Sequence, residues 1–305
     1  MLPQMVTRGP VWDLDPIVFT LPVLNLPVRY YGIIFGLVLL GGFFLFRRQI
    51  VRGRGSEDEA FDFVLPGALG VVLGARLGHV FFYNFDYFLR NPWWLFRIWE
   101  GGLASHGAAL GLIAALFYHS RRFKRPFWDT CDRFSFSAAL GAALIRLANF
   151  FNSEIVGRVT DGPFGVRFPR FDQLPPELTP ARYPSQLVEF SLGLSVLAAL
   201  FWLDKKLGRE KRPVGALSAA FLVLYFSGRF LVEFIKERHG LVDDFLLSRG
   251  QLLSLPGIIL GLALIVHSIK KGQKNDQPVK SAAARDKPGR SGRRSKKKFG
   301  ERDHA

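Results

Sequence analysis

Apolar stretches close to the ~20 residues that a helix needs to cross a bilayer recur along the chain, at 30–46, 61–83, 103–119, 134–152, 185–203, 214–235 and 251–269. Seven such stretches predict an all-α polytopic membrane protein of about seven transmembrane helices. The fourth ends unusually. "IRLANFFNSEIVG", residues 145–157, sets Arg146, Asn149, Asn152 and Glu154 at the end of a run of Ala, Leu, Phe and Gly. In water these would be an ordinary polar face; in lipid each needs a partner or a purpose.

The intervening segments give the orientation, because Lys and Arg gather in short loops on the cytoplasmic side. "RRQIVRGRG" follows the first stretch, with Arg47, Arg48, Arg52 and Arg54; "SRRFKRP" follows the third and "DKKLGREKRP" the fifth. The 84–102 segment "NFDYFLRNPWWLFRIWEGG" is aromatic with few bases and suits an interfacial belt, while 238–249 is nearly neutral. Only 153–183, with four arginines and four acids, is ambiguous by charge. The alternation predicts the N-terminus outside, the C-terminus in the cytoplasm and an odd number of spans.

Composition agrees with this picture. The chain has 305 residues, 49% hydrophobic with 30 Phe, yet a formal net charge of +16. A soluble globule would need one very large core for so many aromatics; a membrane protein carries its charge in loops. The single cysteine, Cys131, excludes an intramolecular disulfide framework and a multi-cysteine zinc site. Residues 1–28 contain prolines and acids without a basic segment leading into an apolar core, so the first hydrophobic helix is expected to be retained. From Lys270 to Ala305 there are 13 Lys/Arg and 4 Asp/Glu. This divides the chain into a membrane domain, 1–270, and a disordered basic cytoplasmic tail, 271–305, that meets anionic membrane lipid rather than nucleic acid.

Polar residues recur within the apolar stretches. A charged side chain at mid-membrane costs ~2.5–3.5 kcal/mol even on the lenient insertion scale. Arg146 and Asn149, three apart, present together on a helix, and Glu154 follows where the chain can fold back toward Arg146. Arg229 and Glu233 are four apart in "YFSGRFLVEFIKE", His106 lies among small residues in "GGLASHGAALG", Arg76 in "GARLGHVFFYN" and Tyr31 in "RYYG". Five stretches contributing ionisable or phenolic groups predict one shared, partly hydrated cavity. Arginine forks suit phosphate oxygens, His106 can accept a proton near neutral pH, and Glu154 and Glu233 can orient the arginines. Without an HExxH, Walker or GxSxG motif, the residues point to a membrane-embedded site for an anionic lipid headgroup. The competing reading is a proton or ion transporter in which Arg–Glu pairs and His106 relay charge.

The chain resembles the bacterial prolipoprotein diacylglyceryl transferases. Their signature, Gly-Arg-x-x-Asn-Phe-x-Asn-x-Glu-x-x-Gly, is matched by Arg146, Asn149, Phe150, Asn152, Glu154 and Gly157. Further family-like stretches follow in family order: "RYYG" at 29–32, "GGLASHGAALG" at 101–111, "RYPSQLVE" at 182–189, "GRFLVEF" at 228–234 and "GQLLSLP" at 250–256. Ile145 stands where the signature begins with Gly, and Val188 where Tyr is common; the basic tail is longer than the family leads one to expect.

The resemblance implies a multi-pass enzyme of the bacterial inner membrane, N-terminus periplasmic, with a periplasmic segment between helices 4 and 5. It would transfer the diacylglyceryl group of phosphatidylglycerol to the lipobox cysteine of a prolipoprotein signal peptide, releasing glycerol 1-phosphate. Its implied catalytic residues are His106 as base, Arg229, and Tyr31 as second candidate for proton transfer. Arg146, Asn149, Glu154, Gly157, Glu233 and Arg76 would bind substrate. No metal or organic cofactor is expected, and Cys131 should be irrelevant to the chemistry.

Overall fold

The computed structural model describes residues 8–22, 25–237 and 247–275; the basic tail beyond these lies outside the described residues. A short hairpin, β1 (Ile17–Leu21) and β2 (Leu26–Arg29), leads directly into α1 (Tyr30–Arg52). Then come α2 (Glu57–Phe61), α3 (Val64–Tyr83), α4 (Phe85–Arg90), α5 (Ser105–Arg122) and α6 (Phe127–Phe151). The segment after α6 forms a two-stranded ladder, β3 (Val166–Arg167) with β4 (Ala181–Arg182), around the single turn of α7 (Pro169–Asp172). The chain then continues into α8 (Ser185–Lys206), α9 (Ala216–Val232) and α10 (Arg249–Asn275).

Among the described residues six helices are long and apolar enough to cross a membrane: α1, α2 with α3, α6, α8, α9 and α10. All seven predicted stretches are helical, but α5 is not among the six. Polar residues occupy both its ends, Ser105 and His106 at one and His119, Ser120, Arg121 and Arg122 at the other, so too few apolar residues remain between them. Large apolar side chains such as Leu40, Leu65, Phe82, Leu110 and Ile259 point outward. Such a surface is a liability in water and the expected outer face of a multi-pass membrane protein.

The helices associate as neighbours α1 on α6, α3 on α5, α6 on α8 and α9 on α10. The α3–α5 contact is backbone on backbone. A Cβ added at Gly111 would overlap the Gly70 carbonyl, and one at Gly107 the Gly74 carbonyl. In lipid, where hydrophobic segregation offers nothing, close approach through small residues is what binds helices together.

Two polar regions cap opposite ends of α1 and α6. At one end α6 starts at Phe127, well before the predicted 134, because its polar first turns are paired within the protein. Asp132 accepts from the Gly215 and Ser218 backbone N–H groups and the Ser218 hydroxyl, capping the start of α9. Arg133 donates to Asp129 and Glu210, Arg52 meets Asp204 and Glu210, and Arg212 reaches Asp204 at 3.2 Å. The opposite end carries the β3–β4 segment, where Arg182 bridges Asp172 (2.6 Å) and Glu237 (2.7 Å). Trp12 packs there on Phe150, donating its indole N–H to the Phe150 carbonyl at 2.9 Å.

Arg76, expected among the ligand-binding residues, has a different task. It is 2% exposed. Its Nε donates to the Leu95 carbonyl, Nη1 to those of Gly101 and Gly102, and Nη2 to that of Trp94, while the guanidinium lies 4.3 Å from the Trp94 ring centroid. All three nitrogens are therefore taken by backbone, and no fork remains for a ligand. The 84–102 segment runs through α4 and two short 3-10 turns, Pro92–Phe96 and Ile98–Glu100, and Arg76 supplies donors to the carbonyls of Trp94, Leu95, Gly101 and Gly102.

Two outcomes follow from these end structures. Arg76→Met, which keeps the stem but strands four carbonyls, should destabilise the protein by on the order of 3 kcal/mol and open 84–102 to limited proteolysis; unchanged cleavage there would remove Arg76's structural role. Burial alone would raise the Glu210 carboxyl from its ordinary 4.5, but hydrogen bonds from Arg133 and Arg52, together with the Arg133 and Arg212 charges, hold it down to about 2. A depressed carboxyl stabilises the fold above its unfolded value, so this contribution is complete above pH 4.5 and lost as pH falls toward about 2. Unfolding midpoints in detergent should fall less steeply across that window for Glu210→Gln than for the parent; parallel curves would count against the network.

Candidate functional site

The signature stretch closes α6 and reverses the chain. Asn149 and Phe150 are in the last turn, Asn152 caps it, and Ser153 and Ile155 take left-handed backbone, at φ 54° and 53°. Two non-glycine residues in this region are costly unless their surroundings fix them. Here the reversal is pinned: the Glu154 N–H donates to the Asn149 carbonyl, the Ser185 hydroxyl to the Ile155 carbonyl and the Gln186 amide to the Glu154 carbonyl.

Asn149 and Asn152 each donate a side-chain amide to the Glu154 carboxylate at 3.1 Å. Glu154 is thus the acceptor that fixes both asparagines. Gly157 packs between the Tyr183 and Ile235 backbones; an added Cβ would come within 2.5 Å of the Tyr183 carbonyl oxygen and 2.7 Å of that of Ile235. That crossing of three chain segments requires a glycine at this place in the motif.

The carboxylate beside Arg146 is Glu189 of α8, not Glu154. Arg146 Nε lies 3.0 Å from Glu189 Oε2. This is an ionic contact without hydrogen-bond alignment, for Oε2 is buried and has no hydrogen-bond donor. Arg146 makes one hydrogen bond among the described residues, a long 3.4 Å donation from Nη1 to Asn149. Arg229 reaches the other oxygen of the same carboxylate at 3.7 Å. Lys236 donates to that oxygen at 3.0 Å. The guanidinium side chains are 13% and 23% exposed and Glu189 is 2% exposed.

Glu233 does not pair with Arg229 in the expected one-turn arrangement. The α-helix stops at Val232, and the 3-10 turn Glu233–Ile235 swings Glu233 to Lys236, at 3.5 Å, and against Gly250 of α10. Tyr31, in the first turn of α1, lies within electrostatic reach of Arg146 and Glu154. Its neighbour Tyr30 stacks on Phe151 at 4.7 Å, which docks α1 against the end of α6. A cavity of about 520 Å³ adjoins the cluster, lined by Asn152, Glu154, Ile155, Arg170, Lys236 and Glu237 among others.

His106 stands apart from this cluster, at the start of α5. Its ring packs edge-on against Phe82 (5.0 Å) and tilted against Tyr83 (5.7 Å), and Nε2 is buried with no hydrogen-bond partner. The structure therefore brings together Arg146, Asn149, Glu154, Tyr31, Arg229 and, through Lys236, Glu233. Arg76 and His106 belong to the α3–α5 pair, with no hydrogen bond or ion pair to the cluster.

Glu189 and Lys236 were not singled out from sequence. Glu189 stood within the family-like stretch "RYPSQLVE" without a basic residue one turn away to mark it. Its signal was a lone carboxylate near the start of an apolar run, which lipid tolerates only when a cation meets it.

Comparison with known proteins agrees with the motif. The family model for prolipoprotein diacylglyceryl transferase matches residues 16–267. A phosphatidylglycerol–prolipoprotein diacylglyceryl transferase of Vibrio cholerae serotype O1 is 39% identical over 282 residues, covering 90% of this chain and 98% of the relative. Proteins of the same name from Pseudoalteromonas atlantica (39% over 281 residues, 90% and 96% covered) and Actinobacillus pleuropneumoniae serotype 3 (40% over 260 residues, 83% and 94% covered) are similar to it as well. With the family model spanning most of its length and relatives aligned nearly end to end, the chain belongs to the prolipoprotein diacylglyceryl transferase family.

Proposed function

We infer that the protein transfers the diacylglyceryl group of phosphatidylglycerol to a prolipoprotein, the first step of lipoprotein maturation. The thiol of the lipobox cysteine attacks the glyceryl carbon that carries the phosphate ester. A carbon–sulfur bond forms, the carbon–oxygen bond breaks, and the bonding pair leaves on the phosphate oxygen. The thiol proton is released, and glycerol 1-phosphate departs.

The observation that carries this reading is the contrast between arginines. Arg76 donates from all three of its nitrogens to backbone carbonyls. Arg146 and Arg229 share one carboxylate at 3.0 and 3.7 Å and retain donors for a ligand. Two guanidinium forks in an apolar surround complement a phosphate whose charge grows as the ester bond breaks, the condition under which fixed charge lowers a barrier. The ordinary thiol pKa is near 8.5, so most of the nucleophile is protonated at neutral pH; His106 takes that proton through its unpaired Nε2, with Tyr31 as the alternative acceptor. Glu154 holds the asparagines beside Arg146, and Asn149 steadies the guanidinium.

The finer membrane arrangement belongs to the same proposal. Seven helices cross the inner membrane, α5 included because its small-residue face is buried on α3. The N-terminus and the 153–183 segment are periplasmic, where secreted prolipoproteins expose their signal peptides. The Arg52–Arg133–Arg212 network and the basic tail from 271 are cytoplasmic, the tail against anionic lipid.

Purified protein with phosphatidylglycerol and a lipobox peptide should yield a thioether product by mass spectrometry; ion flux in proteoliposomes without product would favour transport instead. Arg146→Lys and Arg229→Lys keep charge but lose the two-pronged fork, and each should lower turnover on the order of 10²-fold. Near-normal turnover in both would reduce these arginines to anchors. His106→Gln should lose ~10²–10⁴ in rate while binding lipid normally. Its residual activity should climb toward the thiol's own pKa as the nucleophile ionises unaided; a variant that loses lipid affinity and keeps the parent's acid limb would move His106 from proton transfer to binding.

A further inference from the structure

Glu189 is the least exposed charged group of the arginine cluster and the only carboxylate there that touches three cations. Oε2 faces Arg146 at 3.0 Å; Oε1 faces Lys236 at 3.0 Å and Arg229 at 3.7 Å. These come from separate elements: Arg146 from α6, Arg229 from α9, and Lys236 from the end of the 3-10 turn after α9. The carboxylate itself is rigidly mounted, one turn into α8. Ser185 and Gln186, in the turn before it, are tied to the Ile155 and Glu154 carbonyls at 2.9 and 2.7 Å.

Without an anion between them, two guanidinium groups in an apolar surround repel and separate. With a carboxylate bonded two-pronged to each, the fork that suits a phosphate would already be occupied. Glu189 does neither. Its one aligned hydrogen bond in the cluster goes to Lys236, and it touches both arginines only by charge. Lys236 is in turn touched by Glu233 at 3.5 Å, so it keeps a second counterion.

We propose that Glu189 is a positioning residue that sets the distance between the two phosphate-facing arginines, and that it passes from them to Lys236 when a lipid phosphodiester enters. This rests on the phosphate reading above. In the free enzyme the carboxylate holds the Arg146 and Arg229 forks on either side of a common point. The incoming phosphate takes over their donors. Glu189 keeps the Lys236 hydrogen bond and so is never left as an unpaired buried charge, a state that proteins do not tolerate. The exchange lets a buried site be occupied by an internal anion at rest and by the substrate in use.

The test compares Glu189→Gln, the double variant Glu189→Gln/Lys236→Gln, Glu189→Asp and Arg146→Lys, each assayed for thioether formation and for its unfolding midpoint in detergent. A reacting group displaced by about 1 Å can cost on the order of 10²-fold in rate. Glu189→Gln should fall by about that factor, mainly in kcat, because two guanidinium charges still attract the ground-state phosphate while their spacing is lost. The double variant removes the Lys236 charge with its partner; it should regain the parent midpoint and stay slow. Recovery of the parent kcat in the double variant would make Glu189 a mere counterion of Lys236 and overturn the proposal, as would parent kcat in Glu189→Gln itself. If both unfold, Glu189→Asp decides: it keeps the charge on a shorter arm, and should hold the midpoint and lose rate, whereas parent rate would sink the idea. Full activity in Arg146→Lys would strike the phosphate reading itself; a slow Arg146→Lys beside a normal Glu189→Gln would strike only the positioning role.

Discussion

Arginine stays charged at any pH the protein meets, so every guanidinium that this chain buries must find an oxygen to face. That constraint organises the molecule from one end to the other. Arg133 is met by Asp129 and Glu210, Arg212 by Asp204, and Arg182 by Asp172 and Glu237. Arg76 hydrogen-bonds only backbone carbonyls and thereby ties down the short turns that follow α4. Arg133, Arg182 and Arg76 each donate from all three guanidinium nitrogens, whereas Arg212 donates from Nη1 alone and leaves Nε and Nη2 buried without a hydrogen-bond partner. Arg146 and Arg229 differ in being partly exposed while sharing one carboxylate at 3.0 and 3.7 Å, which leaves donors open. The proposed site lies where two partly exposed arginines from different helices share a single buried carboxylate.

The scaffold explains how an incomplete pairing survives. Helices in lipid gain little by burying apolar surface against one another, and they hold together through close packing and polar contacts. Here the α3–α5 pair approaches to backbone contact through Gly70, Gly74, Gly107 and Gly111. The charge network at the other end of α1 and α6 ties α1, α6 and α8 to the chain before α9. With both ends fixed, the arginine cluster near the end of α6 need not contribute to assembly. Its groups can be arranged for a ligand, including the left-handed Ser153 and Ile155 that turn the chain back beneath Arg146.

How much of this was legible in the chain follows from the same physics. The helical stretches were readable because lipid demands long apolar segments, and the signature was readable because its polar residues sit where lipid would otherwise refuse them. The start of α6 was misread because Asp132 and Arg133 look like loop residues until their partners in the chain before α9 are seen. Arg76 was grouped with the ligand-facing arginines since sequence shows a charge but not the carbonyls that consume it. Arg229 and Glu233 have helix spacing, yet the helix ends between them. Glu189 escaped notice for the opposite reason: its cations are distant in sequence, 47 residues away for Lys236. Spacing within one helix is written in the chain; pairing between helices is not.

The proposed reaction must manage two charges in one apolar volume, the thiolate that forms as the thiol loses its proton and the phosphate that gains charge as the ester breaks. Cations placed beside the thiolate would stabilise it and blunt its attack, whereas at the phosphate they help directly. The structure keeps the two apart. The arginines, Lys236 and their carboxylates gather where α6, α8 and α9 meet, while His106 packs against the Phe82 and Tyr83 rings on α3 with its Nε2 buried. On the proposed roles, this separation of base from cations would put the glyceryl carbon, which must meet both thiol and phosphate, between the two helix groups.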